Sequence, residues 1–447
     1  MSTSDSERPG PSARNSFLDS SWTGQRKGVI LPLVAAAIAL WLVFLADMSY
    51  LFGATLDQRH RVHALNVLVV DFDGGAVAEA VSGTYSFMQG NDFPTLEFQD
   101  ASPRYPDPAA VKEAVCSGDY WGAVYTRSGA SAQLADALSG APGAANYAAN
   151  NTVTYIYNQA RYTTLADGAI GATLRALIAA SRDAYYQTDD GREALANLDR
   201  TNPSAVQAFL NPIQPSADII MPTQQGSRAF YNTLNVVFPI LLVFFFSLVV
   251  NGLSQSNGLL VRLRRGDLWL MRLVASKAYG LIAALMVTAY IWAFREDWPV
   301  ASHVFVTNWM IVWFQIDINW QVFDAVIASY LPMAATPFFV MTWIVVNVAS
   351  TAFPFEVSAG FYRVGYAFPG HHIYALQVQA WSGCASQLRT ALPVLFSWWL
   401  LGHVAVVFSI RKRCADADKV AAQNSQKVLQ PQSEMASAGS DVTTKAD

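Results

Sequence analysis

Charge is scarce in this sequence. Asp, Glu, Lys and Arg make up 14% of its 447 residues against 53% hydrophobic residues, about half the charged share of soluble globular chains, which excludes a purely soluble protein. Cysteine is scarcer still: Cys116, Cys384 and Cys414 are too few for a disulfide scaffold and lack the pairwise spacing of a zinc site. No GxxxxGK followed by Ser or Thr occurs, so a complete P-loop ATPase is excluded. A basic excess is also missing, since a net charge of -4 and a pI near 5.9 leave no footprint for nucleic acid. What is abundant is buryable surface: 13% aromatic residues and a mean hydropathy of +0.24 exclude a disordered chain.

That surface is arranged in runs. Residues 29–52 (VILPLVAAAIALWLVFLADMSYLF) carry Asp47 as their only charge, enough to cross a hydrocarbon core at 1.5 Å per residue. The run starts too late and is too long for a cleaved signal. Residues 229–261 and 278–294 are free of charge, and the latter recruits 268–276 to reach spanning length. Residues 304–330 contain Asp317 and Asp324, 338–353 follow Pro332 and Pro337, and 390–410 are uncharged. Six passes are expected. Arg262, Arg264, Arg265, Arg272 and Lys277 between passes two and three, and Arg411, Lys412 and Arg413 after the last, place those ends in the cytosol. An even count puts both tails there, and residues 53–228 outside. The tails, 1–28 and 412–447, are rich in Ser, Ala, Gln and charge without periodicity, and are expected to be disordered.

The segment 53–228 reads as α+β. LNVLVVDFDGG (65–75) is a strand ending at a glycine pair, followed by an Ala-rich helix. Residues 108–116 form a helix leading into the strand 121–126, and 153–157 form another strand. Residues 162–186 have helical spacing and are expected to lead back to the membrane. Strand order stays open. Asp71-Phe72-Asp73-Gly74 resembles the nucleophile loop of haloacid-dehalogenase-type phosphatases. Yet Lys112 is the only lysine in the segment, and no downstream acidic pair sits at a strand end. The two carboxylates are therefore expected to close a turn and cap a helix. Asn150-Asn151-Thr152 is a glycosylation sequon. Cys116 and Cys384 fall on the oxidising side of this topology and are candidates for one bridge.

No catalytic constellation, cofactor site or metal site is expected. His371-His372 have no Cys or carboxylate at ligand spacing and read as interfacial polar residues. Asp317 and Asp324, seven residues apart, share one helix face, and Asn319 and Gln321 add polarity. Carboxylates at membrane depth face a cavity or a polar partner. The competing reading shifts the helix so that both reach water near its ends.

Residues 65–75, GDYWGAVYT (118–126), TYIYNQAR (154–161) and above all NVASTAFPFEVSAGFYRVGYAFPGHHIYAL (347–376) resemble the fungal nitrosoguanidine-resistance membrane protein family. That family is similar to YhgE/phage-infection proteins and ABC-2 type membrane domains. The resemblance covers residues 29–411. It implies one pass, a large outer domain and five more passes, with efflux, drug resistance or plasma-membrane lipid organisation as function. Members often have a small, Gly-rich fourth pass, whereas MIVWFQIDINWQVFDAV (310–326) is bulky and acidic. The chain is thus expected to be a mainly α membrane protein that exports or redistributes amphipathic drugs or lipids. Asp317, Asn319 and Asp324 are its candidate transport residues, and membrane lipids, a second copy, and a separate ATPase or regulatory subunit its candidate partners. The plasma membrane is the expected location, with an endomembrane as the other. The alternative is a non-transporting scaffold or receptor whose outer domain binds a protein. Residues 356–381, aromatic and interrupted by Gly365, Pro369 and Gly370, are expected to lie in the outer interface. Glu356, Arg363, Tyr366, Phe368 and His371 are candidates for an outer gate there.

Overall fold

The computed structural model describes residues 26–440, with side chains through 426. Residues 1–25 of the expected tail 1–28, and residues 441–447 of the expected tail 412–447, lie outside the described residues. The first helix, α1 (Arg26–Ala54), is apolar on every side, and none of its most hydrophobic 18-residue stretch is buried by the rest of the protein.

The chain then builds a five-stranded mixed sheet. The strands are β1 (Asn66–Asp71), β2 (Thr95–Asp100), β3 (Gly122–Thr126), β4 (Val153–Asn158) and β5 (Pro215–Ile220), in the order β2-β1-β3-β4-β5. The β1-β2, β1-β3 and β4-β5 pairs are parallel, and β3 runs antiparallel to β4. Because side chains alternate across a strand, Val67 and Val69 enter the core on one face while Leu68 and Val70 enter the core on the other. A strand apolar on both faces needs cover on both, which the parallel crossovers supply. Helices α2 (Ala76–Met88), α4 (Ala130–Leu138) and α5 (Ala172–Tyr185) cover the first face, and α3 (Pro108–Ser117) covers the second. In α3 the local signals agree. Asp107 accepts from Ala110 N at 2.9 Å, Pro108 opens the helix, and Gly118 ends it at φ +91°, a left-handed conformation that favours glycine.

Two departures from expectation occur here. TLEFQD and PSADII mix apolar with acidic or small residues, so β2 and β5 lack a hydrophobic signal, yet they take the two edges of the sheet. The helix after β4 does not lead back to the membrane. It begins with a π-helical turn, Ala166–Gly171, and is followed by α6 (Asp189–Ala196), α7 (Pro203–Leu210) and β5.

The remaining chain forms α8 (Tyr231–Ser256), α9 (Arg265–Ala293), α10 (Val304–Val326), α11 (Thr336–Ala349), α12 (Pro369–Ser382) and α13 (Leu388–Ser440). Among the described residues four helices are long and apolar enough to cross a membrane: Arg26–Ala54, Gly226–Ser256, Arg265–Ala293 and Leu388–Gln426. Two of the six expected runs form helices of another kind. Helix α10 carries Gln315, Asp317, Asn319, Gln321 and Asp324, all buried, and α11, at 14 residues, reaches roughly 21 Å. Helix α10 is the hub, packing against α8, α9, α12 and α13, while α1 lies along α11. Gly402 lets α13 close on α10, because a Cβ there would stand 2.6 Å from Gln321 Cβ.

Helix α13 also corrects the expected C-terminal tail. The helix continues past residue 411 to Ser440, supported by Ala-rich sequence and by Lys412 and Lys419 paired with Asp416 at 2.6 and 3.8 Å.

Sheet and bundle share one core. Tyr231, Trp298 and Trp381 form a ring cluster with centroids 5.4–5.7 Å apart, continuous with the first-face core of the sheet. Tyr162 N donates to Tyr374 Oη at 2.8 Å, Thr223 Oγ1 to Asp297 Oδ1 at 2.7 Å, and Cys116 is disulfide-bonded to Cys384.

Candidate functional site

The polar face of α10 is the first candidate. Asp317 and Asp324 do lie on one face, between α9 and α13, and neither reaches water: their side chains are 7% and 1% exposed. Asp324 is ion-paired with Arg272, and Arg413 Nη2 donates to its Oδ1 at 2.8 Å. Arg272 Nη2 also donates to Asn251 Oδ1 at 2.9 Å, and Ser409 Oγ to the Asp324 carbonyl at 2.8 Å. One carboxylate thus ties α8, α9, α10 and α13 together. Two guanidinium groups around it leave a net positive charge at that end of the bundle.

Asp317 has a different setting. It is ion-paired with Lys277, accepts from Trp399 Nε1 at 2.7 Å and from Gln321 Nε2 at 3.2 Å. His403 Nδ1 lies 2.8 Å from the Trp399 carbonyl. A carbonyl only accepts, so Nδ1 carries the proton, and Nε2, 3.4 Å from Lys277 Nζ, offers its lone pair to the ammonium. This pair floors a groove of about 760 Å³ between α9, α10, α12 and α13, walled by Val306, Met310, Phe314, Leu392, Phe396 and Trp399. The Lys277 side chain is 29% exposed. Asn319 points elsewhere, accepting from Trp343 Nε1 of α11 at 2.7 Å. Of the three expected transport residues, only Asp317 opens on a groove.

Arg272 and Lys277, taken from sequence as loop charges, are in fact inside α9. Their spacing of five, against seven between the two acids of α10, suits antiparallel helices joined by long basic side chains. That complementarity was the available signal.

The second candidate lies where the sheet meets the bundle. Glu356, Tyr366 and His371 line a cavity of about 50 Å³ together with Arg161, Tyr162 and Tyr374. Arg363 and Phe368 are not part of it: Arg363 is exposed, and Phe368 packs edge-on against Trp343 at 6.3 Å. The expectation that residues 356–381 lie in the membrane interface is also revised in part. Trp381, Tyr374 and both histidines are buried in protein, whereas Phe361 and Tyr366 are exposed. His371 Nδ1 lies 3.2 Å from the Ser350 carbonyl and His372 Nε2 2.8 Å from the Tyr366 carbonyl. Burial first, then the neighbouring His372, lowers the His371 pKa to about 4. Arg161 stacks on Trp121 at 3.7 Å. Burial lowers its pKa, and the nearby Glu356 carboxylate opposes that shift.

The Asp71 loop is engaged in turn hydrogen bonds. Asp71 Oδ1 accepts from Asp73 N at 2.8 Å, Gly74 N at 3.1 Å and Thr126 Oγ1 at 2.5 Å, while Asp73 Oδ1 accepts from Ser131 N at 3.1 Å. Asn150 is exposed, and Thr152 Oγ1 donates to the Ala149 carbonyl at 2.7 Å. Among the described residues no group of three or more His, Cys, Asp or Glu could hold a metal ion.

Long apolar helices, with the two carboxylates of α10 paired to cations inside the bundle, define an integral membrane protein. The chain belongs to the family described as "Protein of unknown function (DUF3533)", whose model matches residues 36–404. It is 22% identical over 412 residues to an uncharacterized endoplasmic reticulum membrane protein of Saccharomyces cerevisiae, covering 83% of this chain and 77% of that protein. No solved structure matches.

Proposed function

We propose that the chain moves, or helps to move, amphipathic lipids or drugs between membrane leaflets. In this reading it crosses the membrane six times with an ABC-2-like architecture, both termini are cytosolic, and the sheet domain stands outside. The supporting observation is the groove floored by Lys277 and Asp317. Its apolar walls suit a hydrocarbon chain, and a partly exposed ammonium suits a polar group drawn to membrane depth, where charge is otherwise costly. The plasma membrane is the proposed location. The yeast relative's name points to the endoplasmic reticulum for that protein, so an endomembrane is the competing address. A separate ATPase would supply the phosphate loop that the chain lacks, and a second copy is the other proposed partner.

The test is movement of fluorescent lipid and drug analogues in vesicles containing the purified chain. Wild type should exceed empty vesicles, and Lys277→Gln should lower the rate at least fivefold with folding retained. Equal rates for wild type and empty vesicles would reject the reading.

A scaffold or receptor role has one observation in its favour. Phe87, 91% exposed, and Phe98, on the edge strand β2, present apolar surface on the outer domain. Protein capture lost in Phe87→Ser, with no transport by wild type, would select that role.

A further inference from the structure

The cavity at the sheet–bundle junction holds a cation whose donors are unspent. Among the described residues Arg161 makes no side-chain hydrogen bond, and no carboxylate lies within ion-pair distance of it. Stacking on Trp121 uses the face of the guanidinium and leaves its N–H edge directed outward from the ring. Arg161 is half-buried and lines the cavity, so this edge is open to an acceptor entering there. Within the same cavity the Tyr162 and Tyr366 hydroxyls also lack hydrogen-bond partners among the described residues.

The second feature is the order of charge along the cavity. Tyr162 and Tyr374 are buried beside Arg161, whereas Glu356 and Tyr366 are exposed at the mouth. Among the described residues Glu356 is likewise without an ion pair. A lone phosphate or carboxylate would satisfy Arg161 but would face the Glu356 carboxylate. A lone amine would satisfy Glu356 and meet the guanidinium. A group carrying both signs a few ångströms apart satisfies both, and the tyrosine rings favour its cationic end.

We infer that this cavity binds an α-amino carboxylate, its carboxylate against Arg161 and its ammonium against Glu356 and the Tyr366 ring. The small volume admits a group of a few heavy atoms, such as free serine or glycine, or the serine headgroup of a phospholipid. These sources share one chemistry. The inference does not depend on transport, since a cavity of this kind equally suits a sensor.

The test uses the full chain in phosphatidylcholine nanodiscs, with thermal unfolding and calorimetric binding as readouts. In one arm L-serine, acetate and ethylamine are compared at equal concentration. In the other, discs containing phosphatidylserine are compared with discs containing phosphatidylglycerol, which has equal net charge and no ammonium. Serine should bind and acetate or ethylamine should not, or phosphatidylserine should stabilise and phosphatidylglycerol should not. A response in the first arm alone assigns a free ligand, and in the second alone a lipid. Arg161→Gln should weaken binding roughly 10- to 100-fold, the usual worth of hydrogen bonds to a charged group. Glu356→Gln, at the exposed mouth and so tolerated by the fold, should narrow the preference for serine over acetate. No discrimination in either arm, or discrimination unchanged in Glu356→Gln, overturns the inference and leaves the cavity to water. Transport without such binding would overturn this inference alone, and binding without transport would overturn only the transport reading.

Discussion

The sheet domain and the helix bundle solve the burial of polar groups in opposite ways. In the sheet the central strands are apolar on both faces, and Asp71 and Asp73, at and just beyond the end of β1, accept backbone N–H groups. In the bundle, carboxylates sit on the interior face of a central helix and are neutralised by cations from neighbouring helices. The difference follows from solvent. A sheet edge can hand its charges to water, whereas a helix within a membrane must find every partner inside the protein. The bundle should therefore be intolerant of losing one member of a pair, and the sheet domain tolerant of losing one carboxylate.

The largest effect is expected at Asp324. Asp324→Asn leaves Arg272 and Arg413 buried without a counter-charge, which costs about 3–5 kcal/mol. Purified yield and midpoint of unfolding should fall sharply. Arg272→Met and Arg413→Met combined with Asp324→Leu should recover much of the loss, because both uncompensated charges are then removed along with the carboxylate. No recovery would mean that packing, and not charge, carries the tie between the helices.

The second effect tests whether the two regions are one unit. The disulfide closes a sequence separation of 268 residues and ties α3 to the segment after α12, so Cys116→Ser should cost about 2–4 kcal/mol. The shared ring cluster of Tyr231, Trp298 and Trp381 should keep unfolding a single transition. Two separate transitions in differential scanning calorimetry would show that the disulfide, not the core, joins the regions.

These contrasts also explain what was legible in advance. Strands β1, β3 and β4 announced themselves through apolar runs with β-branched residues, the first two with glycine beside them, and α3 through its Pro and Gly signals. Strands β2 and β5 stayed hidden because an edge strand need not be apolar. The acids of α10 were visible as a seven-residue spacing, but their partners were not, since Arg272 and Lys277 stand near a basic loop and Arg413 in a basic tail. Arg161 stayed hidden for a different reason. Its environment comes from segments some 200 residues away, among them Glu356, Tyr366 and Tyr374, and no local pattern encodes that meeting.

The junction itself should respond to acid. In an unfolded chain His371 has the ordinary histidine pKa of about 6.5, and in the fold it titrates near 4. Above the unfolded value both states are neutral and stability is unaffected. As pH falls from about 6.5 to about 4 the unfolded state binds a proton that the native state refuses, so stability declines, by about 3 kcal/mol in full, and then levels off. His372 lies beside it and Arg161 acts on it from the sheet domain. His371→Gln should flatten the decline in unfolding midpoint across that window. A wild-type midpoint that does not fall there would show that the imidazole is not held neutral.

The smallest effect is expected at Asp71, where the sheet domain's tolerance is put to the test. Asp71 Oδ1 takes three donors, Asp73 N, Gly74 N and Thr126 Oγ1, and Asp71→Asn keeps one acceptor oxygen in that place. What is lost is the charge and the second oxygen, which also accepts from Gly74 N at 3.1 Å. The cost should be about 1 kcal/mol, a shift of a few degrees at most, against the collapse expected for the same substitution at Asp324. A nucleophile would behave differently, since Asn cannot form the aspartyl phosphate, an acyl phosphate, and turnover would vanish while the fold stood. The decisive measurement is magnesium-dependent hydrolysis of a phosphate monoester by the full chain and by Asp71→Asn side by side. Equal, background rates for the two fit a turn-closing carboxylate. Turnover by the wild type that the substitution abolishes would assign chemistry to the loop and end the contrast between a structural acid in the sheet and partnered acids in the bundle.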